Sequence, residues 1–489
     1  MRRRWLRSIA AGASRRRYGV VALVCAAGLA AQAAACAPAR IAAPPASLRA
    51  EPFLDTLQSR TFDWFWRLGN AQNGLIFDRW PTPSFSSVAA VGFGLTAYPI
   101  GVERGYITRA QAAERTRTTL EFFWNAPQGP QPSQVTGHRG FFYHFLDMET
   151  GHRFRTVELS TIDTALLLAG ALACREYFDG PGTVETAIRD LADSIYFRVD
   201  WKWAQVRPPL VSMGWRPEEG FIAYDWRGYN EAMILLILAL GSPTHPIEPV
   251  AWDAWTQTYT WSTFQGQTMV QFAPLFGHQY SHVWIDFRGI QDRYMRERGI
   301  DYFENSRRAS YSHRTYALAN PMRWRGYGAD IWGLTAADGP IDTTMSVSGV
   351  ERRFFTYAAR GAAAGEIRDD GTIAPTAAGG SVPFAPEIAI PALKAMRRAY
   401  AGMLFTEYGF LDSFNPTFTF TGVQVRHGRV DPIHGWYDTD HLGIDQGPIL
   451  AMVENYRSEL IWRLMRKNPH IRRGLERAGF TGGWLTSGQ

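Results

Sequence analysis

The sequence predicts an all-α fold in which an outer ring of amphipathic helices wraps an inner ring of buried helices. Helical patterns recur along the whole chain with little sign of strands. The helices are of two kinds: "DTALLLAGALA" and "EAMILLILALG" are apolar on all sides, whereas "TRAQAAERTRTTLEFFW" and "VETAIRDLADSIYFRV" have one apolar stripe and one charged face. Because an all-apolar helix must be covered on every side, the two kinds together indicate an α/α double barrel.

About a dozen helices are predicted from these periodic patterns. Their approximate ranges are 53–68, 86–103, 108–124, 159–178, 183–199, 230–240, 249–258, 274–298, 302–319, 387–404, 448–467 and 470–478. Three segments rich in Gly, Pro and Thr, 200–228, 320–350 and 361–386, are typical of long loops or short hairpins. Loops of this length are uncommon unless they are functional, so we expect them to wall a cleft at one end of the barrel.

Residues 1–36 have the pattern of an export signal. A basic region precedes an apolar stretch from about Val20 to Ala31, followed by Ala33-Ala34-Ala35-Cys36. The sequence "SRRRYGV" resembles a twin-arginine signal and "AAAC" resembles a lipobox, which leaves lipidation at Cys36 and ordinary cleavage after Ala35 as alternatives. Both predict an exported, periplasmic protein, with a membrane anchor in the first case. Residues 37–52 are predicted to form a Pro/Ala-rich tether, and 53–489 a single catalytic domain.

The charge of the chain is concentrated in this signal. The formal net charge of +6 comes from 51 Lys and Arg against 45 Asp and Glu, and residues 1–36 contain no acids and these arginines: Arg2, Arg3, Arg4, Arg7, Arg15, Arg16 and Arg17. The rest of the chain therefore has 44 basic and 45 acidic residues, a net charge of −1. The high isoelectric point consequently gives no reason to expect a nucleic-acid partner.

Aromatic residues make up 14% of the chain, with 18 Trp, and many stand beside Gly, Asp, Asn or Arg in polar segments. Flat rings beside polar groups suit the apolar faces and hydroxyl edges of sugars. A large core that simply uses many rings is the alternative, and it would account for about half of them.

Three acidic residues stand at or just before the N-termini of predicted apolar helices. Glu231 follows Asn230, a suitable N-cap, and Asp445 precedes Pro448, which is expected at the first helical position. Asp163 has a capping-box-like spacing from Ser160. Helix capping alone is the alternative for each acid taken singly.

The coincidence of three such acids indicates catalysis. The inner helices of a double barrel run in one direction, so their N-terminal ends gather at one mouth. Asp163, Glu231 and Asp445 are then expected to face one pocket. Glycoside hydrolysis needs one protonated carboxyl, which donates a proton to the leaving oxygen, and one ionised carboxylate, which activates water or attacks directly.

Other patterns are weaker, and no cofactor or metal is expected. His278, His282 and Asp286 have the i, i+4, i+8 spacing of one helix face, but Gln279 stands where a zinc metalloprotease has glutamate, so hydrogen bonding is favoured over zinc binding. The stretch "DPIHGWYDTDHLGID" lacks the ligand order of a calcium loop, and its acids are expected to be solvated. Cys174, inside an apolar helix, is expected to be a core thiol.

Several stretches, among them "ELSTIDTALLLAGAL", "GYNEAMILLILALGSPTHP", "HQYSHVWIDFRGIQD" and "LGIDQGPILAMVENYRS", resemble the bacterial glucoamylase-like family. This is glycoside hydrolase family 144, whose type activity is endo-β-1,2-glucanase. The resemblance runs from about residue 53 to Leu485. It implies an (α/α)6 barrel, a metal-independent site and hydrolysis of β-1,2-glucan, with inversion, to sophorose-type oligosaccharides.

The resemblance also implies roles for particular residues. Glu231 of "YNE" corresponds to the proton donor or its relay, Asp445 of "GIDQGP" to the base that holds water, and Asp163 of "STID" to a further pocket carboxylate. Contacts to sugar are expected from Trp226, Tyr229, His282, Trp284, Asp286, Arg288 and Trp332. Packing in the core or in loops is the alternative, expected for about a third of these seven.

Two alternative functions are compatible with the sequence. The first is an exo-acting or transglycosylating β-glucan enzyme of the same fold, which the loop 361–386 would favour if it closed one end of the cleft. The second is a non-catalytic periplasmic glycan-binding protein, although such a protein would not need three protonatable acids. The segment after Gly339 looks more variable in length than its surroundings, so it bears on chain-length preference if it lines the cleft.

Overall fold

The computed structural model describes residues 50–486. The predicted export signal, Cys36 and the tether up to residue 49 lie outside the described residues. Within 50–486, no helix has both the length and the apolar character that a membrane crossing requires.

The described residues contain fifteen α-helices. They are α1 Pro52–Leu68, α2 Val88–Glu103, α3 Arg109–Asn125, α4 Thr161–Tyr177, α5 Thr183–Phe197, α6 Met233–Gly241, α7 Val250–Thr256, α8 Tyr280–Trp284, α9 Arg293–Arg298, α10 Tyr302–Ala319, α11 Pro375–Gly379, α12 Pro386–Tyr400, α13 Gly443–Ser458, α14 Leu460–Met465 and α15 Pro469–Arg477. Short 3-10 turns cover Leu275–His278, Ala401–Met403 and Gly483–Leu485.

Six of these helices form the inner ring, in the order α2, α4, α6, α8, α11, α13, and α13 packs against α2 to close it. The side-chain amide of Gln279, just before α8, donates to the Ala377 carbonyl of α11 at 2.8 Å and links those two helices. The outer ring consists of α1, α3, α5, α15, α10 and α12, each packed against an inner helix or the turn that leads into one. The described residues therefore form an (α/α)6 double barrel, which confirms the predicted fold class.

The inner helices are buried because almost every position in them is apolar or small. All nine residues of α6 are buried, as are the residues of α2 from Val88 to Gly101. Two glycines let α2 and α4 approach closely: a Cβ on Gly92 would lie 2.3 Å from the Leu166 carbonyl oxygen, and one on Gly170 would lie 2.1 Å from the Gly92 carbonyl oxygen.

Two inner helices contain a proline in their interior, and in each case a side chain takes over the hydrogen bond that proline cannot make. Pro99 leaves the carbonyl of Leu95 without its helical donor, and the Cys174 thiol donates to that oxygen at 3.0 Å. Pro448 does the same to Ile444, whose carbonyl accepts from the Tyr280 hydroxyl at 3.5 Å. Cys174 is fully buried and free, so the prediction of a core thiol is confirmed.

Several predicted boundaries are wrong. Asn230 is not an N-cap: α6 begins at Met233 with Ala232 as its N-cap, and the Asn230 side chain instead accepts from the Ala232 N–H. Pro448 is not the first helical position, because α13 begins at Gly443. The predicted helix 448–467 breaks at Glu459, whose φ is 59°.

The predicted helix 274–298 is also divided. The 3-10 turn, α8 and α9 replace it, and Ile285 has extended backbone between α8 and α9. The predicted loop 361–386 conversely contains α11, an inner helix of five residues. Both errors concern elements too short to show a helical period.

Short strands, which the sequence hardly indicates, line the loops. They are β1 Arg79–Trp80, β2 Ser86–Ser87, β3 Gly137–His138, β4 Phe141–Tyr143, β5 Phe145–Leu146, β6 Leu159–Ser160, β7 Gly214–Arg216, β8 Gly220–Phe221, β9 Trp261–Phe264, β10 Gln267–Val270, β11 Ala336–Ala337, β12 Thr343–Val347, β13 Val350–Phe354, β14 Ala358–Ala359, β15 Gly361–Ala363, β16 Glu366–Arg368, β17 Phe405–Thr406, β18 Gly409–Phe410, β19 Phe414–Asn415, β20 Arg429–Asp431, β21 Gly435–Tyr437 and β22 His441–Leu442.

The pairings of these strands are antiparallel, and most make two-stranded ladders. The larger sheets have the orders β3-β4-β6-β7-β8 and β19-β21-β20. Most strands have two or three residues, too few for the alternating pattern that reveals a strand in a sequence. The prediction of hairpins within the long loops is confirmed, for example by β12 pairing with β13.

Candidate active site

A cavity of about 360 Å³ opens where the inner helices begin. Ser87, the N-cap of α2, and Leu442, the N-cap of α13, both line it. Its volume lies in the range of small-molecule sites. The remaining lining is rich in charged, polar and aromatic side chains: Asp78, Arg79, Phe85, His144, Phe145, Asp338, Thr356, Tyr357, Arg426, His427 and Ile444.

The structure brings the three predicted acids together beside this cavity. Burial and the charges of Asp445, Glu231 and Asp163 all raise the pKa of one hydroxyl, that of Tyr280 at the start of α8. The acids themselves are not among the lining residues. Asp163 and Asp445 lie next to the lining, because the lining residue His144 is 3.7 Å from Asp163 and the lining residue Ile444 precedes Asp445 in α13.

Glu231 has the properties of a general acid. It stands two residues before α6, and its carbonyl accepts from the Ser281 hydroxyl at 2.9 Å. Its carboxylate oxygen Oε2 is buried and has no hydrogen-bond partner among the described residues. Burial, with a smaller contribution from the charge of Asp163, raises the pKa of Glu231 to about 7. A carboxyl group with this pKa keeps its proton near neutral pH and can donate it to a leaving group.

Asp445 belongs to a group of buried carboxyls that we call the acid cluster: Asp338, Asp412, Asp438 and Asp445. Burial and then the charge of Asp412 raise the pKa of Asp445 well above its ordinary value. Burial and the charge of Asp338 raise the pKa of Asp412 to about 6. Carboxyl groups this close share protons and titrate as one unit, so Asp445, Asp412 and Asp438 do not all ionise together.

The acid cluster has few cationic partners. The guanidinium of Arg79 donates to Asp338 at 2.6 Å. One oxygen each of Asp412, Asp438 and Asp445 is buried and, within residues 50–486, accepts no hydrogen bond. Buried carboxylate oxygens without partners are costly, and hydroxyl groups of a bound sugar would supply the missing donors.

The same cluster is the part of the described chain that a metal ion would suit. Asp338, Asp412 and Asp438 each offer an oxygen within 4.8 Å of the other two, a spacing that six-coordinate hard cations accept. Acidic oxygens in this arrangement serve sugar hydroxyls equally well. The expectation that the site is metal-independent therefore stays a prediction.

Asp163 is held by its own helix terminus and by a histidine. Ser160, the N-cap of α4, donates from its hydroxyl to the Asp163 carboxylate and accepts from the Asp163 N–H, so the capping interaction is present. His144 Nε2 lies 3.7 Å from the other Asp163 oxygen, and His144 Nδ1 lies 2.9 Å from Glu158. Although burial opposes the charge, Asp163 and Glu158 raise the pKa of His144 to about 9. His144 is consequently an imidazolium at neutral pH.

Four of the seven residues predicted to contact sugar lie on or just after α8, and the structure does not place them at the cavity. The helix runs from Tyr280 at the mouth towards the opposite end of the barrel, so each later residue lies deeper. His282 is buried against the Ser306 hydroxyl at 3.1 Å, and the Trp284 indole donates to Thr96 at 3.0 Å. Asp286 and Arg288 form an ion pair of 2.7 Å beyond the end of the helix.

The other three are also packed in the interior. Trp332 is fully buried among the apolar residues around α11 and α12. Trp226 is 6% exposed, and its indole donates to the Thr161 hydroxyl at the start of α4. Tyr229 stacks on Tyr302 with ring centroids 5.8 Å apart. Six of the seven are buried, and Arg288, with 34% of its side chain exposed, is held in an ion pair; contact of these residues with sugar stays a prediction.

Sequence reasoning missed much of the site because it lies in loops. The acids of "DPIHGWYDTDHLGID" were expected to be solvated, yet Asp438 and Asp440 are fully buried. No pattern in the sequence places Asp338 or Asp412 at the start of a helix. The one aromatic side chain at the cavity that is more than half exposed is Tyr357, in the segment that looks variable in length.

An (α/α)6 barrel with protonatable carboxyls beside a cavity at the N-terminal ends of its inner helices defines a glycoside hydrolase. The family described as "Putative glucoamylase" matches residues 223–469 of the sequence, half of the chain. The chain belongs to this family, which confirms the resemblance inferred from its motifs.

Similar proteins of known structure come from several bacteria. An endo-β-1,2-glucanase from Chitinophaga pinensis, in complex with sophorotriose and glucose, is 29% identical, with a TM-score of 0.75 over 89% of this chain and 99% of its own. A putative glucoamylase from Bacteroides uniformis is also 29% identical, with a TM-score of 0.74 over 88% of this chain and 98% of its own.

A curated relative adds a second activity. The exo β-1,2-glucooligosaccharide sophorohydrolase (non-reducing end) of Parabacteroides distasonis is 27% identical over 464 residues, which cover 87% of this chain. The match spans 58% of that relative's length.

Proposed function

We propose that this protein hydrolyses β-1,2-glucan, cutting within the chain and releasing sophoro-oligosaccharides. The observation that carries the proposal is the pairing of Glu231, whose pKa is about 7, with the acid cluster around Asp445 at one cavity. The glucanase activities named for the relatives supply the substrate class.

In this reaction Glu231 donates its proton to the glycosidic oxygen. Asp445 accepts a proton from the attacking water, and the acid cluster redistributes it. The negative charge of Asp163, whose carboxylate lies 3.7 Å from His144, contributes to the raised pKa of Glu231 and so helps Glu231 to retain its proton. The family resemblance adds that water attacks with inversion at the anomeric carbon.

The test is to incubate the protein with linear β-1,2-glucan and to follow product sizes and the anomer first released. Glu231→Gln and Asp445→Asn are measured alongside, with Tyr224→Ala as a control at an exposed position away from the cavity. We expect the wild type and the control to release short oligosaccharides of inverted configuration, and both carboxyl variants to lose about 10²- to 10⁴-fold in kcat.

An exo-acting enzyme is the second candidate, because the Parabacteroides distasonis relative is named for that activity. Such an enzyme would release a single product of constant size from the first minutes. Longer products than the starting oligosaccharide would indicate transglycosylation instead. Binding of β-1,2-glucan without any cleavage would refute an enzymatic role and leave a glycan-binding protein.

We also propose that the protein is exported and carries a lipid at Cys36. The basic and apolar signal pattern and the "AAAC" sequence support this proposal. Mass spectrometry of the mature N-terminus distinguishes the outcomes: a lipid-modified Cys36 supports the anchor, and an unmodified N-terminus after Ala35 refutes it.

A further inference from the structure

The segment that follows Gly339 presents one aromatic ring to the cavity. Tyr357 lines the cavity next to Thr356, just beyond the hairpin of β12 and β13, and it is 62% exposed. Within residues 50–486 its ring has no aromatic partner and its hydroxyl has no hydrogen bond. The tryptophans Trp226, Trp284 and Trp332, in contrast, are at most 6% exposed.

The backbone on both sides of Tyr357 is fixed, so the exposed ring does not belong to a loose loop. Arg360 is fully buried, pairs with Asp370 at 2.7 Å and donates to the carbonyls of Phe355 and Thr356 at 3.3 Å. The Asp342 carboxylate accepts from the Thr356 N–H at 3.2 Å and from its hydroxyl at 2.6 Å. Ordering of this segment therefore costs little when a ligand binds.

Tyr357 lies close enough to the catalytic carboxyls for their charges to act on its hydroxyl. Partial burial, followed by the charges of Asp412, Asp445, Asp338 and Glu231, raises the pKa of Tyr357. The hydroxyl thus stays protonated and can donate a hydrogen bond, while the ring face stays open to the cavity. A rigid aromatic face that ends in a hydroxyl donor matches a glucose unit, which has an apolar C–H face and a rim of hydroxyls.

We propose that Tyr357 is the platform on which one glucose unit of the substrate stacks, so that the adjoining glycosidic bond lies against Glu231 and Asp445. This inference rests on the proposed function and assigns a substrate-binding residue to it. In this proposal a loop supplies the exposed ring, whereas Trp226, Trp284 and Trp332 are buried in the barrel.

The test compares Tyr357→Ala, Tyr357→Phe and the wild type on β-1,2-gluco-oligosaccharides. Tyr224→Ala is the matched control, because Tyr224 is 71% exposed and does not line the cavity. We expect Tyr357→Ala to raise KM about tenfold, the ratio that corresponds to loss of one aromatic contact, with a smaller change in kcat. Tyr357→Phe keeps the ring and should stay within about threefold of the wild type, and Tyr224→Ala should be unchanged.

Binding of sophorotriose by the Glu231→Gln protein, with and without Tyr357→Ala, gives a readout that does not depend on turnover. A tenfold weaker affinity in the double variant supports the platform. An unchanged KM and affinity in Tyr357→Ala, with an active wild type, overturns the platform and leaves the proposed function intact. Equal losses in Tyr357→Ala and Tyr357→Phe assign the effect to the hydroxyl and also overturn it. A wild type that neither cleaves nor binds β-1,2-glucan refutes the proposed function itself.

Discussion

The two ends of the barrel use buried carboxyl groups in opposite ways. At the mouth, Glu231 and Asp445 each have a buried oxygen without a partner in the described part of the chain. At the opposite end, the Glu454 carboxylate accepts two hydrogen bonds from Arg104, at 2.7 and 2.8 Å, and one from Gln58 at 2.9 Å. Glu454 is as buried as Asp445, so pairing, and not burial, separates the structural acid from the candidate catalytic one.

Helix direction explains why each end has this character. The N-terminal ends of the inner helices carry partial positive charge, which favours acids at the mouth, where Glu231 and Asp445 have no arginine partner among the described residues. The C-terminal ends carry partial negative charge, so an acid there needs a cation beside it. Arg104 follows the end of α2, and Arg288 and Arg466 both bind Asp286 beyond the end of α8.

The largest expected effect comes from Glu231→Gln at the mouth. We expect kcat to fall by about 10²- to 10⁴-fold, because the side chain keeps its shape but loses the transferable proton. In the wild type, kcat should decline as pH rises through about 7, where Glu231 ionises. Initial rates over a pH series check both statements. A flat wild-type profile across this range would contradict the assignment.

The same substitution has a predictable effect on stability. The folded-state pKa of Glu231 is raised from 4.5, so the group favours the folded state fully below pH 4.5, and this contribution is lost as pH rises through about 7. Because glutamine does not ionise, Glu231→Gln removes this pH-dependent loss of stability. The variant should therefore match or exceed the wild-type free energy of unfolding above about pH 7, as measured by denaturant titration.

Glu454→Gln makes the same chemical change at the opposite end of the barrel. It should lower stability and leave kcat unchanged. Loss of the charge-assisted bonds to Arg104 should lower the free energy of unfolding by about 2–3 kcal/mol. The kcat of the folded protein should not change. Denaturant unfolding and initial rates on one preparation check this pair of outcomes, and a loss of kcat equal to that of Glu231→Gln would refute the division between the two ends.

His144→Gln tests the imidazolium that lies beside Asp163 at the mouth. The pKa of His144 is raised from 6.5 to about 9, so its contribution is fully present below pH 6.5 and is lost as pH rises through about 9. We expect the variant to be less stable by about 1–2 kcal/mol at pH 6 and equal to the wild type above about pH 9.5. A stability difference that is constant over this range would show that packing, and not charge, is lost.

The fold could be predicted because the long helices carry a clear signal. Helices such as α4 and α5 extend over 15 to 17 residues, enough to distinguish a helix that is apolar on all sides from one with a single apolar stripe. The inner helices α8 and α11 have five residues each and show no period. Their place in the inner ring is set by tertiary packing, which a local pattern does not encode.

The candidate site could be predicted in part for the same reason. Asp163 and Asp445 were found because helix N-termini have recognisable chemistry, and the structure brings both together with Glu231. Asp412 and Asp438 come from loops whose burial depends on strand pairings of two or three residues. The tryptophans predicted to contact sugar lie in the barrel interior, where Trp284 is fully buried, whereas Tyr357 at the cavity is exposed.

The smallest expected effect concerns the hydrogen bond from the Cys174 thiol to the Leu95 carbonyl. Cys174→Ala leaves the Leu95 oxygen, which Pro99 deprives of its helical donor, without any donor. We expect a loss of about 1–2 kcal/mol in the free energy of unfolding, with unchanged kcat. In a Pro99→Ala background the new N–H can reach that oxygen, so Cys174→Ala should cost less there. An equal loss in the free energy of unfolding in both backgrounds would show that the thiol stabilises the protein by filling space. The end of the barrel opposite the mouth would then be stabilised by packing and by arginine ion pairs, without a contribution from this hydrogen bond.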